Sequence, residues 1–299
     1  MNRAGETLRV NRAGETLRVN RAGETLRVLT ARFQAAGIDS ARLDARLLVA
    51  EALGIEPLRL ATHPEIVLTS QQQTAIEAMA ARREAREPIS HILGRRGFWT
   101  LELRVTKDTL DPRPDTETLV QGVLDRVADR AAPLRLLDFG TGSGCILLAL
   151  LSELPHASGL GIDRSAAALA VAADNALATG LAGRAVFGLG DWGKGVDGVF
   201  DIIVSNPPYI PEGDIDGLEP EVARHEPRSA LAGGADGLES YRALVPQMAR
   251  LLRRGGLAGF EVGAGQAEAV AALFATHGFS AVRVTPDLAG IGRAVFATR

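Results

Sequence analysis

The sequence predicts an α/β protein, a mostly parallel, doubly wound sheet preceded by a small helical domain. Three observations carry this. From residue 113 onward, short apolar runs alternate with longer amphipathic stretches, the rhythm of parallel strands joined by crossover helices. Between about residues 29 and 90, alternating strand patterns are absent and apolar residues recur at helical spacing. Successive apolar runs of the second half end in glycine- or proline-rich turns, and doubly wound folds bind ligands at those strand ends.

The totals fit two domains. The chain has 299 residues, of which 46% are hydrophobic, enough for a sizeable core. Its net charge is −3 and its pI about 6.0, which argues against broad, nonspecific nucleic-acid binding. A single cysteine, Cys145, excludes an internal disulfide framework and a cysteine metal cage, and suits a reducing compartment. His63, His91, His156, His225 and His277 are scattered without ligand spacing, so no metal site is expected. No apolar run reaches membrane-spanning length, and the N-terminus lacks the apolar core of a signal peptide. A cytoplasmic protein is expected.

In chain order, "NRAGETLRV" occurs three times, at 2–10, 11–19 and 20–28. A nine-residue period is two and a half helical turns, so Leu8 and Leu17 would face opposite sides of a helix. The repeat reads as a DNA-level duplication or a misplaced start rather than a working device. Residues 1–19 are therefore expected to be a poorly ordered extension. Residues 20–92 form the helical domain: the third copy leads into Leu26, Leu29 and Phe33, "SARLDARLLVAEALG" is capped by Ser40 and stopped by Gly54, and the next helix is capped by Thr69 or Ser70. Arg82, Arg83, Arg86, Arg95 and Arg96 form a basic cluster, read as a solvated helix end in preference to a contact with an acidic partner or ribosomal RNA. "FWTLELRV" alternates like a strand, so residues 93–112 read as a β-hairpin linker. Residues 113–299 form the sheet domain, opening with the helix "DTETLVQGVLDRVADRA".

Four strand ends carry chemistry. "LLDFGTGSG" closes the first strand of the sheet. Gly140, Gly142 and Gly144 let the backbone turn sharply and approach a ligand. The nicotinamide fingerprint G-x-G-x-x-G fails, because its sixth position is Cys145. The alternating form, with an acid at Asp138, resembles that of S-adenosylmethionine-dependent methyltransferases. Asp163 ends the second strand, where a carboxylate can accept both hydroxyls of a ribose. Asp191 and Trp192 end the third, where an acid can meet an adenine amino group and a flat ring can pack on the base. The bland alternatives are turn carboxylates and a core Trp.

The fourth strand, "FDIIV", runs into "SNPPYI". A planar nitrogen is a poor nucleophile because its lone pair is delocalised. An enzyme acting on one must orient it and offset the positive charge that develops on methyl transfer. Two acceptors fixed in advance do both. Asn206 offers a side-chain carbonyl and Pro207 a backbone carbonyl. Pro207 and Pro208 lack N–H donors and stiffen the turn. Tyr209 can stack on a planar substrate. A methyl already activated on a sulfonium needs neither a metal nor a strong base.

Together these residues resemble the HemK/PrmC family, protein-(glutamine-N5) methyltransferases acting on class I peptide chain release factors. The likeness spans roughly residues 24–299 and includes "PISHILGRRGFW", "LDPRPDTETLV", "LLDFGTGSGCILLALL", "DIIVSNPPYIP", "EPRSALAGGADGL" and "FEVGAGQ". The Asn-Pro-Pro-Tyr motif alone is shared with adenine-N6 and guanine-N2 methyltransferases, whereas the second and fifth segments are more specific. The resemblance implies a seven-stranded methyltransferase sheet. It implies donor contacts from Gly140, Thr141, Gly142, Ser143, Gly144, Asp163, Trp192 and Asn206. Asn206, Pro207, Pro208 and Tyr209 would hold the glutamine of a Gly-Gly-Gln loop, with Asn206, Pro207 and Tyr209 in the catalytic role. The helical domain would dock the release factor, with no membrane or direct nucleic-acid partner. Three departures, Gly97, Asp111 and Asp115, bear on linker geometry. Glu219, Glu221 and Glu226 are read as structural members of a lid. The rival functions are a nucleic-acid base methyltransferase, which would want basic surfaces interleaved with aromatics, and a silent donor-binding adaptor, which would want a damaged turn or loop.

Overall fold

The computed structural model describes residues 8–10, 16–18 and 20–299. The chain divides into two compact units, Met1–Leu93 and Gly94–Arg299. The first opens with paired antiparallel strands β1 (Leu8–Val10) and β2 (Thr16–Arg18). The expectation of a poorly ordered extension otherwise lies outside the described residues. Helices α1 (Ala22–Ala35), α2 (Ala41–Leu53), α3 (Arg59–Thr62), α4 (Ser70–Glu84) and α5 (Ile89–Leu93) follow. They enclose Leu29, Phe33, Leu48, Val49 and Ile76, all essentially inaccessible to solvent.

The third copy of the repeat is tied into this unit. The Asn20 carbonyl accepts from the Leu68 amide at 3.0 Å, and the Ala22 amide donates to the Ile66 carbonyl at 2.8 Å. A Cβ on Gly23 would stand 2.8 Å from Pro64 Cβ, so the repeat's glycine is needed in this copy. Thr69 caps α4 in a reciprocal capping box with Gln72, its Oγ1 accepting from the Gln72 amide at 3.2 Å. Gly54 ends α2 in the left-handed conformation, as its position predicts. Ser40 differs from expectation: it makes no backbone cap, and its hydroxyl donates to Asp44 at 2.7 Å. The reason is Arg83, which is buried and pairs with Asp44 at 2.8 Å. The basic cluster is thus partly turned inward rather than solvated. Arg82 pairs with Glu87 at 2.6 Å, and Arg86 donates to the Ala36 carbonyl.

The second unit begins with the hairpin β3 (Arg95–Phe98) and β4 (Leu101–Arg104), in which Gly97 faces Glu102. The Trp99 amide and indole N–H donate to Glu117 and Glu153, each at 2.8 Å, and so dock the hairpin within this unit. After a 3-10 turn, Pro114–Thr116, come α6 (Glu117–Leu124), β5 (Arg135–Phe139), α7 (Cys145–Glu153), β6 (Ser158–Asp163), α8 (Ala166–Ala178), β7 (Ala185–Leu189) and β8 (Phe200–Ser205). Then come α9 (Pro220–His225), α10 (Arg228–Leu231), α11 (Glu239–Leu251), β9 (Leu252–Glu261), α12 (Ala267–Thr276), β10 (Ser280–Pro286) and β11 (Gly292–Thr298). Helix α6 is shorter than its sequence suggests. Arg126 donates to the Gly122 carbonyl at 2.8 Å and lies 4.1 Å over the Phe296 ring, which ends the helix. Strand β9 is longer, because "LRRGG" leaves α11 and joins the sheet through a register shift at Phe200/Ile202.

The seven strands lie in the order β10-β11-β9-β8-β5-β6-β7. Strands β5 to β9 pair parallel, and β11 is antiparallel to both neighbours. Successive residues of β5 serve opposite faces: Leu136 joins the core with Leu147, Val204 and Phe296, and Leu137 the one with Ile203, Tyr241 and Phe260. Both faces are buried, so these strands read as continuous apolar runs. Strand order reverses between β5 and β8, the position where such sheets open a crevice beyond their carboxyl ends. Among the described residues, no helix is long and apolar enough to cross a membrane.

Candidate active site

The glycine loop and the proline turn leave adjacent strands at this crevice. Ser205, the last residue of β8, is fully buried and donates its hydroxyl to the Phe139 carbonyl at 2.7 Å. The two central strand ends are thereby bolted together, and no sequence motif signalled it. Gly140, Gly142 and Gly144 adopt φ values of 68°, 55° and 81°, a region that costs other L-residues about 1–2 kcal/mol. A Cβ on Gly144 would press on Leu148 at 3.2 Å and Ala172 at 3.3 Å. One on Gly142 would project into open space, where its nearest neighbour is the Gly140 carbonyl at 3.9 Å.

Asp163 is the keystone of the loop. One of its oxygens accepts from the Gly142 amide and the other from the Ser165 amide, both at 2.9 Å. Each oxygen keeps a further lone pair for a ligand hydroxyl. Trp192 has φ 53°, unusual for a bulky residue, and its ring lies beside Gly140. Asp191 is an exposed turn carboxylate paired with Lys194. Under the loop Asp138 is fully buried. It accepts from the Thr141 hydroxyl at 2.7 Å, its Oδ1 has no partner, and burial pushes its carboxyl up to about 7. Burial pushes the Cys145 thiol up to about 12, so it is no nucleophile near neutrality.

These elements enclose a cavity of about 440 Å³, the size of a small-molecule site. Of the residues expected at the site, Gly140, Gly142, Asp163, Trp192, Asn206 and Pro208 line it. Thr141, Ser143 and Pro207 are buried and do not line it, Gly144 packs on α7 and α8, and Tyr209 is half-buried against the core cluster that contains Phe260. The opposite wall comes from residues 107–110 and from the segment around Pro227 and Gly233. Glu226 joins these two walls. It is buried, accepts from the Asp111 amide at 3.2 Å and from Arg113 at 3.1 Å, and burial pushes it up to about 7. The departures at Asp111 and Asp115 are therefore placed residues: Asp111 faces Arg96 at 4.0 Å, and Asp115 pairs with Arg293 at 3.2 Å.

Sequence reasoning missed the support of the proline turn. The Asn206 amide nitrogen donates to the Thr116 hydroxyl at 3.3 Å. Thr116 is itself buried, and the Tyr209 hydroxyl reaches Glu261 Oε1 at 3.5 Å. The Gln266 side chain accepts from the Gly263 amide at 3.0 Å and donates to the Tyr209 carbonyl at 2.9 Å. A Cβ on Gly263 would lie 2.9 Å from the Tyr209 ring. The motifs "PDTETLV" and "FEVGAGQ" were visible in the sequence; what was not visible is that both converge on the turn.

The residues present fit an S-adenosylmethionine donor. The loop leaves open space at Gly142, Asp163 retains lone pairs, and Asp108, Asp163, Asp191 and Glu239 line the cavity together with Lys107 and Arg164. Among the described residues no cluster of three or more His, Cys, Asp or Glu side chains is arranged to hold a metal ion. Fold and site define an S-adenosylmethionine-dependent methyltransferase. A family model described as a methyltransferase small domain matches residues 109–219, and one described as a PrmC N-terminal domain matches residues 24–94. A methyltransferase structure from Pyrococcus furiosus shares the fold, with a TM-score of 0.50 and 16% identity over 74% of this chain and 96% of that one. Release factor glutamine methyltransferase of Rhodospirillum rubrum is 51% identical over 90% of this chain and 82% of its own. That of Caulobacter vibrioides is 48% identical over 90% and 93%. The chain belongs to the release factor glutamine methyltransferase family.

Proposed function

We propose that the protein transfers a methyl group from S-adenosylmethionine to the side-chain amide nitrogen, N5, of the glutamine in the Gly-Gly-Gln motif of class I peptide chain release factors. The observation that carries this reading is the shared cavity: Asn206 and Pro208 of the proline turn line the same space as Gly142 and Asp163 of the glycine loop. When bound, the donor supplies a methyl group activated on sulfur. Asp163 would accept from its ribose, Trp192 would flank its base, and the loop Gly140 to Gly144 would give close backbone approach. Asn206 Oδ1 and the Pro207 carbonyl accept the two N–H groups of the glutamine amide. They hold its plane in place and offset the charge that grows on nitrogen. Tyr209, the residue after the cavity-lining Pro208, is assigned to pack on the amide plane. Burial and the nearby Glu261 push its hydroxyl up to about 12, so it stays protonated and serves as a packing ring rather than a base. The helical unit docks the release factor, and a translation substrate sets the reaction in the cytoplasm. A methyl group already activated on sulfur needs no metal for its transfer.

The test is mass spectrometry of a class I release factor and of duplex DNA after incubation with the enzyme and isotopically labelled donor. The expected result is one added methyl group on the Gly-Gly-Gln glutamine and none on DNA. Label on adenine or guanine with an unmodified release factor would favour a base methyltransferase.

A further inference from the structure

Residues 107–110 wall the cavity, yet they lie outside every strand and helix. The chain there closes a turn on itself. The Thr109 amide donates to the Thr106 carbonyl at 3.1 Å, and the Asp108 amide to the Thr106 hydroxyl at 3.2 Å. A turn satisfied internally is placed by its ends, and both ends are held by buried side chains from elsewhere in this unit.

The first end is Arg104, the last residue of β4. It meets Asn175, which lies in the last turn of α8 and is almost wholly buried. Asn175 Oδ1 accepts from the Arg104 amide at 2.7 Å. Its Nδ2 donates to the Arg104 carbonyl at 3.0 Å and to the Ser143 carbonyl at 2.9 Å. Turning the side-chain amide over would set its oxygen against two carbonyls and its N–H groups against an N–H, so the orientation is fixed. Ser143 belongs to the glycine loop. Asp163 thus holds that loop by the Gly142 amide, and Asn175 holds it by the next carbonyl.

The second end is Asp111. Its amide donates at 3.2 Å to Glu226, whose side chain is fully buried and also accepts from Arg113 at 3.1 Å. Glu226 precedes Pro227, on the wall that returns to the proline turn. There the Ile210 amide donates to the Leu231 carbonyl at 3.0 Å, and the Gly233 amide to the Ile210 carbonyl at 2.8 Å. We propose that Asn175 and Glu226 are positioning residues for methyl transfer, the two anchors of a strap formed by residues 104–111. Asn175 registers the strap with the glycine loop, and Glu226 registers it with the proline turn. The division of roles rests on the function proposed above, in which the loop takes the donor and the turn takes the glutamine.

The two anchors should separate donor from glutamine. Asn175→Ala leaves the Ser143 carbonyl and both Arg104 backbone groups without this partner. Calorimetric affinity for S-adenosylmethionine should fall about 10-fold or more, the scale of a buried polar group left unpaired. Hydrogen exchange should speed in residues 105–110 and 140–144 together, while β9 and β11 stay protected. Wild-type donor affinity overturns the proposal. So does faster exchange throughout the sheet, which would make Asn175 an ordinary core residue. Glu226→Ala should keep wild-type donor affinity, speed exchange in residues 105–110 and 227–233 but not 140–144, and lower kcat/KM for the release factor about 10- to 100-fold, the scale of a misaligned reacting group. A donor-affinity loss equal to that of Asn175→Ala, or a wild-type kcat/KM, overturns the assignment of Glu226. If the wild-type enzyme methylates no release factor, the functional reading falls, while donor affinity and exchange in the two variants still decide the strap.

Discussion

Individual residues at this site carry two tasks at once. Asp163 is the clearest case, because its two oxygens hold the glycine loop through the Gly142 and Ser165 amides and still have lone pairs for a donor ribose. Asp163→Ala should therefore weaken donor binding by roughly 1.5–3 kcal/mol, the value of a hydrogen bond to a charged group, which is tenfold or more in Kd. Calorimetric affinity equal to wild type would make Asp163 a turn residue and nothing more. The sequence offered this carboxylate as a ligand contact and gave no hint of its loop-bracing role. The reason is physical. A side chain at a strand end shows its chemistry in its letter, whereas the backbone amides it also meets depend on a turn that forms only when the loop is folded.

At the level of elements, the strand ends were the legible part. Apolar runs bounded by Gly-rich and Pro-rich turns placed β5, β6, β7 and β8 and the residues that follow them. The helix stop at Gly54 and the cap at Thr69 were equally readable, because each is set by local geometry. The misses are places where tertiary contacts override local preference. Helix α6 ends early because Arg126 folds back onto Gly122 and Phe296. "LRRGG" leaves the α11 pattern to pair as β9. Ser40 forgoes its cap for Asp44, which in turn neutralises the buried Arg83. The network behind the proline turn was the least legible feature. Thr116 and Glu261 are 145 positions apart; the first meets Asn206, and the parallel pairing of β8 with β9 brings the second beside Tyr209.

Across the whole molecule, three buried carboxyls should set the response of stability to pH. Asp138, Glu226 and Glu261 are all pushed up to about 7, chiefly by burial. In the unfolded chain such groups titrate near 4. Between those values the folded state binds more protons than the unfolded one, so stability falls as pH rises. The contribution is complete below about pH 4 and is lost as pH passes through about 7. Glu84, Asp236 and Asp287 are shifted downward by hydrogen bonds, to Arg32, to Arg242 and to the Ile291 amide in turn, and their contribution is lost only at lower pH. The ligand-free protein should thus melt at a higher temperature at pH 5.5 than at pH 8. Both tryptophans, Trp99 and Trp192, lie in the second unit with the three carboxyls, so fluorescence follows the relevant transition. A melting temperature that is flat or rises over this range would mean that these carboxyls are not held protonated by burial.

The central claim is that a fixed acceptor at Asn206 makes an amide nitrogen reactive. The most direct test is the single-turnover rate of release-factor methylation by Asn206→Ala at saturating donor, with donor affinity measured alongside. Loss of a preorganised charge-stabilising group costs about 3 kcal/mol, so the rate should fall a hundredfold or more while donor binding is largely retained. An Asn206→Ala enzyme that methylates the glutamine at close to the wild-type rate would contradict the account.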